Sequence, residues 1–319
     1  MKVLVVGHIH QDGINLLQAR ADLTIEITEA HRESDLVKLV PEVDAILVRS
    51  ALITSPIIEA APFLKAVSRH GVGFNSVDVD ALTRRGIPLT IAVGGNAVSV
   101  AEHTLYLILA LAKQSTRYDQ AARTGDFSYR NAPKSREISG SNLLIIGFGR
   151  IGSQVLQRAK AFNINSFVYD PYVSKDRITS VGAEKVNSFH PILPLMDIIT
   201  VHCPLNHETE NIIGELELGL MKPSALVINT ARGGIIDEVA LHTALSKGKL
   251  AGAGLDVFTA EPTNPKNPLF FVDNLITSPH CAGVTRESSR HTAIIAAENV
   301  LQCLDGKLDP AFVVNHEIL

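Results

Sequence analysis

Short apolar runs alternate with amphipathic stretches along the first third of the chain. Residues 3–6, 45–48 and 66–68 are brief and rich in β-branched or small apolar side chains, as buried strands are. Between them, residues 11–19, 33–39 and 78–85 carry apolar positions at helical spacing. This alternation predicts a parallel sheet covered by helices. Residues 97–114 form a longer apolar helix, interrupted by Ser99, Glu102, His103 and Thr104, after the loop Gly94-Gly95-Asn96. It is more apolar than an amphipathic surface helix requires, so burial on more than one side is expected. A polar stretch, 116–141, follows, and a domain boundary is expected near residue 97.

A second strand–helix series starts at Asn142, with candidate strands at 143–146, 166–170, 198–202, 225–230, 252–257 and 275–278. Six such strands suit a dinucleotide-binding sheet. A helix over 286–305 precedes a tail too short to fold alone, which is expected to return to the first domain. The fold class is therefore α/β, with two doubly wound parallel-sheet domains. The expected organisation is 1–97, then 98–286, then a returning segment 287–319.

Length agrees with two domains, since 319 residues exceed what one core usually supports. A formal net charge of −4 gives no electrostatic case for nucleic acid or an anionic membrane surface. Cys203, Cys281 and Cys303 are an odd set without paired spacing, which argues against a disulfide framework or a metal knot and suits the cytoplasm. The run from Met1 to Gly7 is too short for a signal peptide and reads as a strand. The longest apolar stretch, 105–112, falls far short of the ~18 residues of a membrane span.

The strand 143–146 runs into Gly147-Phe148-Gly149-Arg150-Ile151-Gly152, and Ile151, Val155, Leu156, Ala159 and Phe162 continue at helical spacing. Strand, GxGxxG and helix in that order form a dinucleotide fingerprint. Gly147 makes the turn, Gly149 admits the pyrophosphate, and Gly152 lets helix and strand pack closely. The helix start offers free N–H groups to phosphate. Asp170 ends the next strand, where a carboxylate binds the adenosine ribose and repels a 2′-phosphate, so NAD is expected rather than NADP. A turn role before Pro171 is the alternative for Asp170.

Three further strand ends carry Arg232, Glu261 and His280. Ligands of open α/β sheets bind beyond the carboxyl ends of strands, so the three can converge. A guanidinium pairs with a substrate carboxylate, and an imidazole moves protons near neutrality. A neighbouring carboxylate favours the charged imidazole. Read singly, each has a structural alternative: surface arginine, loop acid, or structural histidine. His202 reads as a coenzyme-edge or structural residue, His103 as an interdomain hydrogen-bonding residue, and Cys281 as pocket lining rather than a nucleophile.

Taken together, Gly147–Gly152, Asn229-Thr230-Ala231-Arg232-Gly233-Gly234, Asp256-Val257-Phe258-Thr259-Ala260-Glu261-Pro262 and Ser278-Pro279-His280 resemble the D-isomer-specific 2-hydroxyacid dehydrogenases. Ala101-Glu102-His103-Thr104 and Arg69-His70-Gly71-Val72-Gly73 match as well, so the likeness spans nearly the whole chain. The resemblance implies a split, flavodoxin-like substrate domain, a Rossmann NAD domain, and a homodimer built on the helix near 97–114. It implies Arg232 as substrate anchor, His280 as acid/base, Glu261 as its partner, and Asp256 near the nicotinamide. Arg150, Ile151, His202 and Pro204 are further expected coenzyme contacts, as are Thr230, Ala231, His280 and Gly283. Val72 and Gly73 are expected at the substrate carboxylate, with Asn96 nearby.

The expected activity is hydride transfer between NAD and C2 of a small D-2-hydroxy or 2-keto acid. The alternative is an NAD(H)-sensing protein of corepressor type without turnover. Within the family the chain resembles 3-phosphoglycerate dehydrogenases and hydroxypyruvate or glyoxylate reductases. It departs from the longer 3-phosphoglycerate enzymes by ending at Leu319 without a C-terminal regulatory domain. It also reads Phe74-Asn75-Ser76 where an Asp-Asn pair is common. Glu261 argues against the formate dehydrogenases, which carry glutamine there. A second anion site is expected from Arg49 with Ser50, Arg69 and, across a dimer, Arg130. The alternative for Arg49 and Arg69 is a structural role, pairing with acids or capping loop carbonyls.

Overall fold

The computed structural model describes residues 1–131 and 134–319, which divide into two compact units: Met1–Asn96 with Val284–Leu319, and Ala97–Gly283. The first contains β1 (Lys2–Val6), α1 (Gln11–Gln18), β2 (Thr24–Thr28), α2 (Glu33–Leu39), β3 (Ala45–Val48), α3 (Ser55–Glu59), β4 (Ala66–Arg69), α4 (Val79–Arg84) and β5 (Leu89–Ile91). The second contains α5 (Ala97–Ala112), α6 (Ser115–Arg123), β6 (Asn142–Ile146), α7 (Arg150–Ala161), β7 (Asn165–Tyr169), α8 (Lys175–Ser180), β8 (Glu184–Val186), β9 (Ile198–Val201), α9 (Glu215–Leu220), β10 (Leu226–Asn229), α10 (Glu238–Ser246), β11 (Gly252–Leu255) and β12 (Leu275–Thr277). α11 (Arg286–Leu304) belongs to the first unit.

The first unit's sheet has the order β2-β1-β3-β4-β5, all parallel, which is the flavodoxin-like order. Alternate residues of β1 feed opposite faces, Leu4 and Val6 into one core and Val3 and Val5 into the other. The second core is completed by small residues of α11, Ala293, Ala296, Ala297 and Val300, packed with Ala45, Leu47 and Ala66. Their size lets the helix lie close. Ser68 Oγ donates to the Ala296 carbonyl at 2.9 Å, and a Cβ on Gly13 of α1 would stand 2.6 Å from the Ala293 carbonyl oxygen.

The second unit's sheet runs β12-β11-β10-β9-β6-β7-β8, also parallel. Read from β8 inward this is the dinucleotide-binding order with one strand added beyond β11. Leu143 and Ile145 face a core shared with α5 and α7, while Leu144 and Ile146 face the opposite core. α5 lies over β11, where a Cβ on Gly254 would stand 3.0 Å from the Leu107 Cβ. The sheet has seven strands where six were expected, because β8 is only Glu184-Lys185-Val186 at an edge. β2, also an edge, went unread because threonines and a glutamate alternate with Ile25 and Ile27. α6, inside the polar stretch 116–141, buries no residue and so leaves no apolar signal. Residues 132 and 133 of that stretch lie outside the described residues. Among the described residues no helix is long and apolar enough to cross a membrane.

Gly13→Val forces backbone apart where α1 meets α11, and should lower stability by about 1–3 kcal/mol, read as a fall in the urea midpoint. Gly219→Ala in α9, where a Cβ meets nothing within 4 Å, should leave the midpoint unchanged or raise it slightly.

Candidate active site

The glycine-rich turn is shaped by clearance. Gly147 has φ of +91°, and a Cβ there would lie 2.7 Å from the backbone of both His202 and Cys203. A Cβ on Gly152 would lie 2.2 Å from the Gly147 carbonyl oxygen. Gly149 faces open space and caps α7, whose first-turn N–H groups have no intrahelical acceptor. The cradle fits a pyrophosphate. The Asp170 carboxylate ties this turn to the next one. Oδ2 accepts from the Phe148 N–H at 2.7 Å, and Oδ1 accepts from Tyr172 and Val173 N–H at 2.9 and 3.1 Å. The turn role weighed for Asp170 is therefore present, and three donors leave room for another on a carboxylate. Arg150 and Pro204 are exposed, and Ile151 half-buried.

His202 is held from the sheet side, its Nε2 2.9 Å from Thr200 Oγ1 and its Nδ1 buried without a partner. Burial pushes this imidazole down to about 3, so it is neutral and unsuited to proton transfer at neutral pH. Thr230 Oγ1 lies 2.9 Å from Thr104 Oγ1.

Asn229 builds the turn that presents Arg232. Its Oδ1 accepts from the Ala231 N–H at 3.0 Å and its Nδ2 donates to the Arg232 carbonyl at 2.8 Å. Gly233 follows without a side chain because a Cβ would sit 1.9 Å from the Phe258 carbonyl carbon. The Arg232 guanidinium donates to the Ala231 carbonyl at 2.6 Å. Burial works against its charge and the Glu261 carboxylate supports it. Glu261 Oε1 accepts from the Phe258 N–H at 3.0 Å, and Oε2 lies 2.6 Å from His280 Nδ1. The His280 side chain is 48% exposed, so the ring is held on one nitrogen and accessible to solvent.

His280 has a left-handed φ of +52°, uncommon for a residue with a Cβ. Asp256, 1% exposed, holds this turn together. Its carbonyl accepts from the His280 N–H at 2.7 Å. Its Oδ1 accepts from Cys281 N–H at 2.9 Å and Ser278 Oγ–H at 2.5 Å, and its Oδ2 from Ala282 N–H at 2.9 Å. Ser278 Oγ lies 2.9 Å from His103 Nε2. His103, expected as an interdomain residue, thus bonds within its own unit. In the sequence Ser278 and Asn229 read only as polar turn formers at strand ends, a residue type that gives no sign of these bonds.

Arg49, Ser50, Val72, Gly73 and Asn96 belong to the first unit and Arg130 to the second. Arg49 Nη1 donates to the His8 carbonyl at 2.8 Å and Arg69 Nη1 donates to the His70 carbonyl, the carbonyl-capping role weighed for both. Between them His70 is buried, and burial followed by the charges of Arg49 and Arg69 pushes its imidazole down to about 4.

The parallel dinucleotide-binding sheet thus carries an arginine, a glutamate and a histidine beyond its strand ends. Residues 105–282 match the family described as D-isomer specific 2-hydroxyacid dehydrogenase, NAD binding domain, and the chain belongs to this family. It is 39% identical over 307 residues to a D-3-phosphoglycerate dehydrogenase of Archaeoglobus fulgidus, covering 96% of this chain but 58% of that protein. The chain thus spans just over half the length of that relative. It is 35% identical over 324 residues to a glyoxylate reductase of Thermofilum pendens, covering 95% of that protein. A D-lactate dehydrogenase from Aquifex aeolicus, solved with NAD and lactic acid, superposes with a TM-score of 0.87 at 29% identity, covering 98% of this chain and 99% of that one.

Burial raises the Cys281 thiol, and the nearby Asp256 carboxylate adds to the effect. A raised thiol holds less thiolate at neutral pH. Iodoacetamide should therefore alkylate Cys281 more slowly than free cysteine near pH 7, with the rate climbing only in the alkaline range; faster modification than free cysteine would contradict the assignment.

Proposed function

We propose that this chain catalyses the NAD-dependent interconversion of a small D-2-hydroxy acid and its 2-keto acid. The observation that carries the reading is the half-exposed His280 imidazole held on Nδ1 by Glu261 at 2.6 Å. That leaves Nε2 to face a substrate oxygen. When bound, NAD supplies the nicotinamide that gives or takes hydride. The chain's own residues do the rest. Arg232 anchors the carboxylate. His280 Nε2 donates a proton to the C2 oxygen in reduction and removes it in oxidation, while Glu261 orients the ring through Nδ1. The α7 start with Gly147, Gly149, Arg150, Ile151 and Gly152 would hold the pyrophosphate. Asp170 would take the ribose hydroxyls and disfavour NADP. His202, Pro204, Thr230, Ala231, Asp256 and Gly283 would line the rest of the coenzyme site.

The first unit serves as the substrate domain in this reading, with Val72, Gly73 and Asn96 at the carboxylate. Arg49 with Ser50 and Arg69, joined across a dimer by Arg130, would favour a charged or strongly polar C3 substituent. Hydroxypyruvate and 3-phosphohydroxypyruvate then precede pyruvate and branched keto acids, and glyoxylate is the smallest candidate. Three free cysteines suit a reducing compartment such as the cytoplasm.

The test is kcat/KM for a panel of keto acids with NADH and NADPH. NADH should be preferred by ~10²-fold or more. His280→Gln should lower kcat by ~10²–10⁴ while NADH still binds. Glu261→Gln removes the acceptor that orients the ring, so kcat should fall while NADH still binds; an unchanged kcat rejects the pairing. Arg49→Ala should erase the preference for anionic tails, and an unchanged ranking rejects the second anion site.

A homodimer completes the reading. The outer side of α5 carries an apolar groove of about 510 Å³ lined by Leu105, Tyr106, Leu109, Ala110 and Phe162, with Glu102, Lys113 and Arg158 on its rim. A second copy would cover it. Light scattering at micromolar concentration should give about twice 34.4 kDa, and the single-chain mass would reject the dimer.

A further inference from the structure

The Asp256 node extends one residue beyond the machinery assigned above. Ser278 Oγ has a single proton and three side-chain neighbours, Asp256 Oδ1 at 2.5 Å, His103 Nε2 at 2.9 Å and the Cys281 thiol. Two oxygens at 2.5 Å, one of them a carboxylate's, require a proton between them. Ser278 therefore donates to Asp256 and must accept from His103. This fixes the imidazole with its proton on Nε2. The Tyr106 ring, tilted 50° at a centroid distance of 5.5 Å, lies beside it on the same helix.

We propose that His103 is a positioning residue for His280. This rests on the reading of His280 as the acid/base. The path is short and lies within one unit. His103 N–H orients the Ser278 hydroxyl, the hydroxyl fills one site of a buried carboxylate, and that residue's carboxylate and carbonyl hold the N–H groups of His280, Cys281 and Ala282. A left-handed residue persists only where its surroundings over-determine it, and these bonds are what determine it here. Without the His103 donor, Ser278 can turn away. Asp256 Oδ1 then loses a donor, and the turn carrying His280 loosens. Substrate anchoring at Arg232 is on a different strand end, so the defect falls on turnover more than on binding.

Two measurements test this. In wild-type protein labelled with ¹⁵N, the His103 ring at about pH 8.5 should be the Nε2–H tautomer. A proton on Nδ1 alone overturns the relay, whatever the activity. In steady-state kinetics, His103→Phe should lower kcat by about 10- to 100-fold with substrate KM changed less than about 3-fold. His103→Gln, whose amide N–H reaches the same position, should recover most of the loss. Ser278→Ala should match His103→Phe, and the double variant should be no worse than either single one. Should His103→Phe fail to fold, Ser278→Ala and His103→Gln carry the comparison. Unchanged kcat in His103→Phe or Ser278→Ala, or additive losses in the pair, overturns the proposal. Wild-type protein that reduces no keto acid instead overturns the functional reading, and the tautomer then decides the relay alone.

Discussion

A carboxylate sealed from water has to be surrounded by donors, and Asp256 meets that demand by drawing the chain after β12 around itself. Little of the candidate site would keep its shape otherwise. The turn 278–282 is tied to β11 through the Ser278 N–H on the Leu255 carbonyl at 2.9 Å, and His280 sits in a backbone conformation it would not choose alone. The cost of that conformation, about 1–2 kcal/mol, is offset by charge-assisted bonds to one buried anion. The exposed face of His280 is available for chemistry because its backbone is fixed from behind and its Nδ1 from the side.

Steric exclusion does similar work elsewhere. Gly147, Gly152 and Gly233 each lie where a Cβ would overlap backbone, at 2.7, 2.2 and 1.9 Å. At Gly152 this brings α7 down onto β6, and at Gly233 it seats the turn after Arg232 against residues 258–259. Gly149 differs, because nothing of the protein occupies the space beside it. The motif's glycines thus split into those required by the fold and one that leaves room for a ligand.

Much of this was legible in the sequence. The central strands were readable because both faces are buried, which makes them continuous apolar runs such as Leu143-Leu144-Ile145-Ile146. The edge strands β2 and β8 were not, since Thr24-Ile25-Glu26-Ile27-Thr28 and Glu184-Lys185-Val186 meet water on one side. Arg232, Glu261 and His280 stood out through residue type and position after strands. The pairing of His103 with Ser278 did not, because it joins α5 to the turn after β12, remote in sequence. Asp170 was read as a ligand carboxylate or a turn former, and its bonds to Phe148, Tyr172 and Val173 make the turn real without excluding the ligand.

The order in which the chain visits its two units bears on its synthesis. Residues 97–283 are contiguous, so the second unit can close as soon as they have emerged. The first unit cannot. Val3, Val5, Ala45, Leu47 and Ala66 are made early, with Ile14 and Leu17 of α1, yet α11 adds Ala293, Ala296, Ala297 and Val300 to the same core only about 230–300 residues later. For that interval on the ribosome a hydrophobic sheet face stands only partly covered, by α1, while a second unit forms downstream. Such a face invites chaperones or aggregation, so the nascent chain is most vulnerable in the half of the molecule that is translated first.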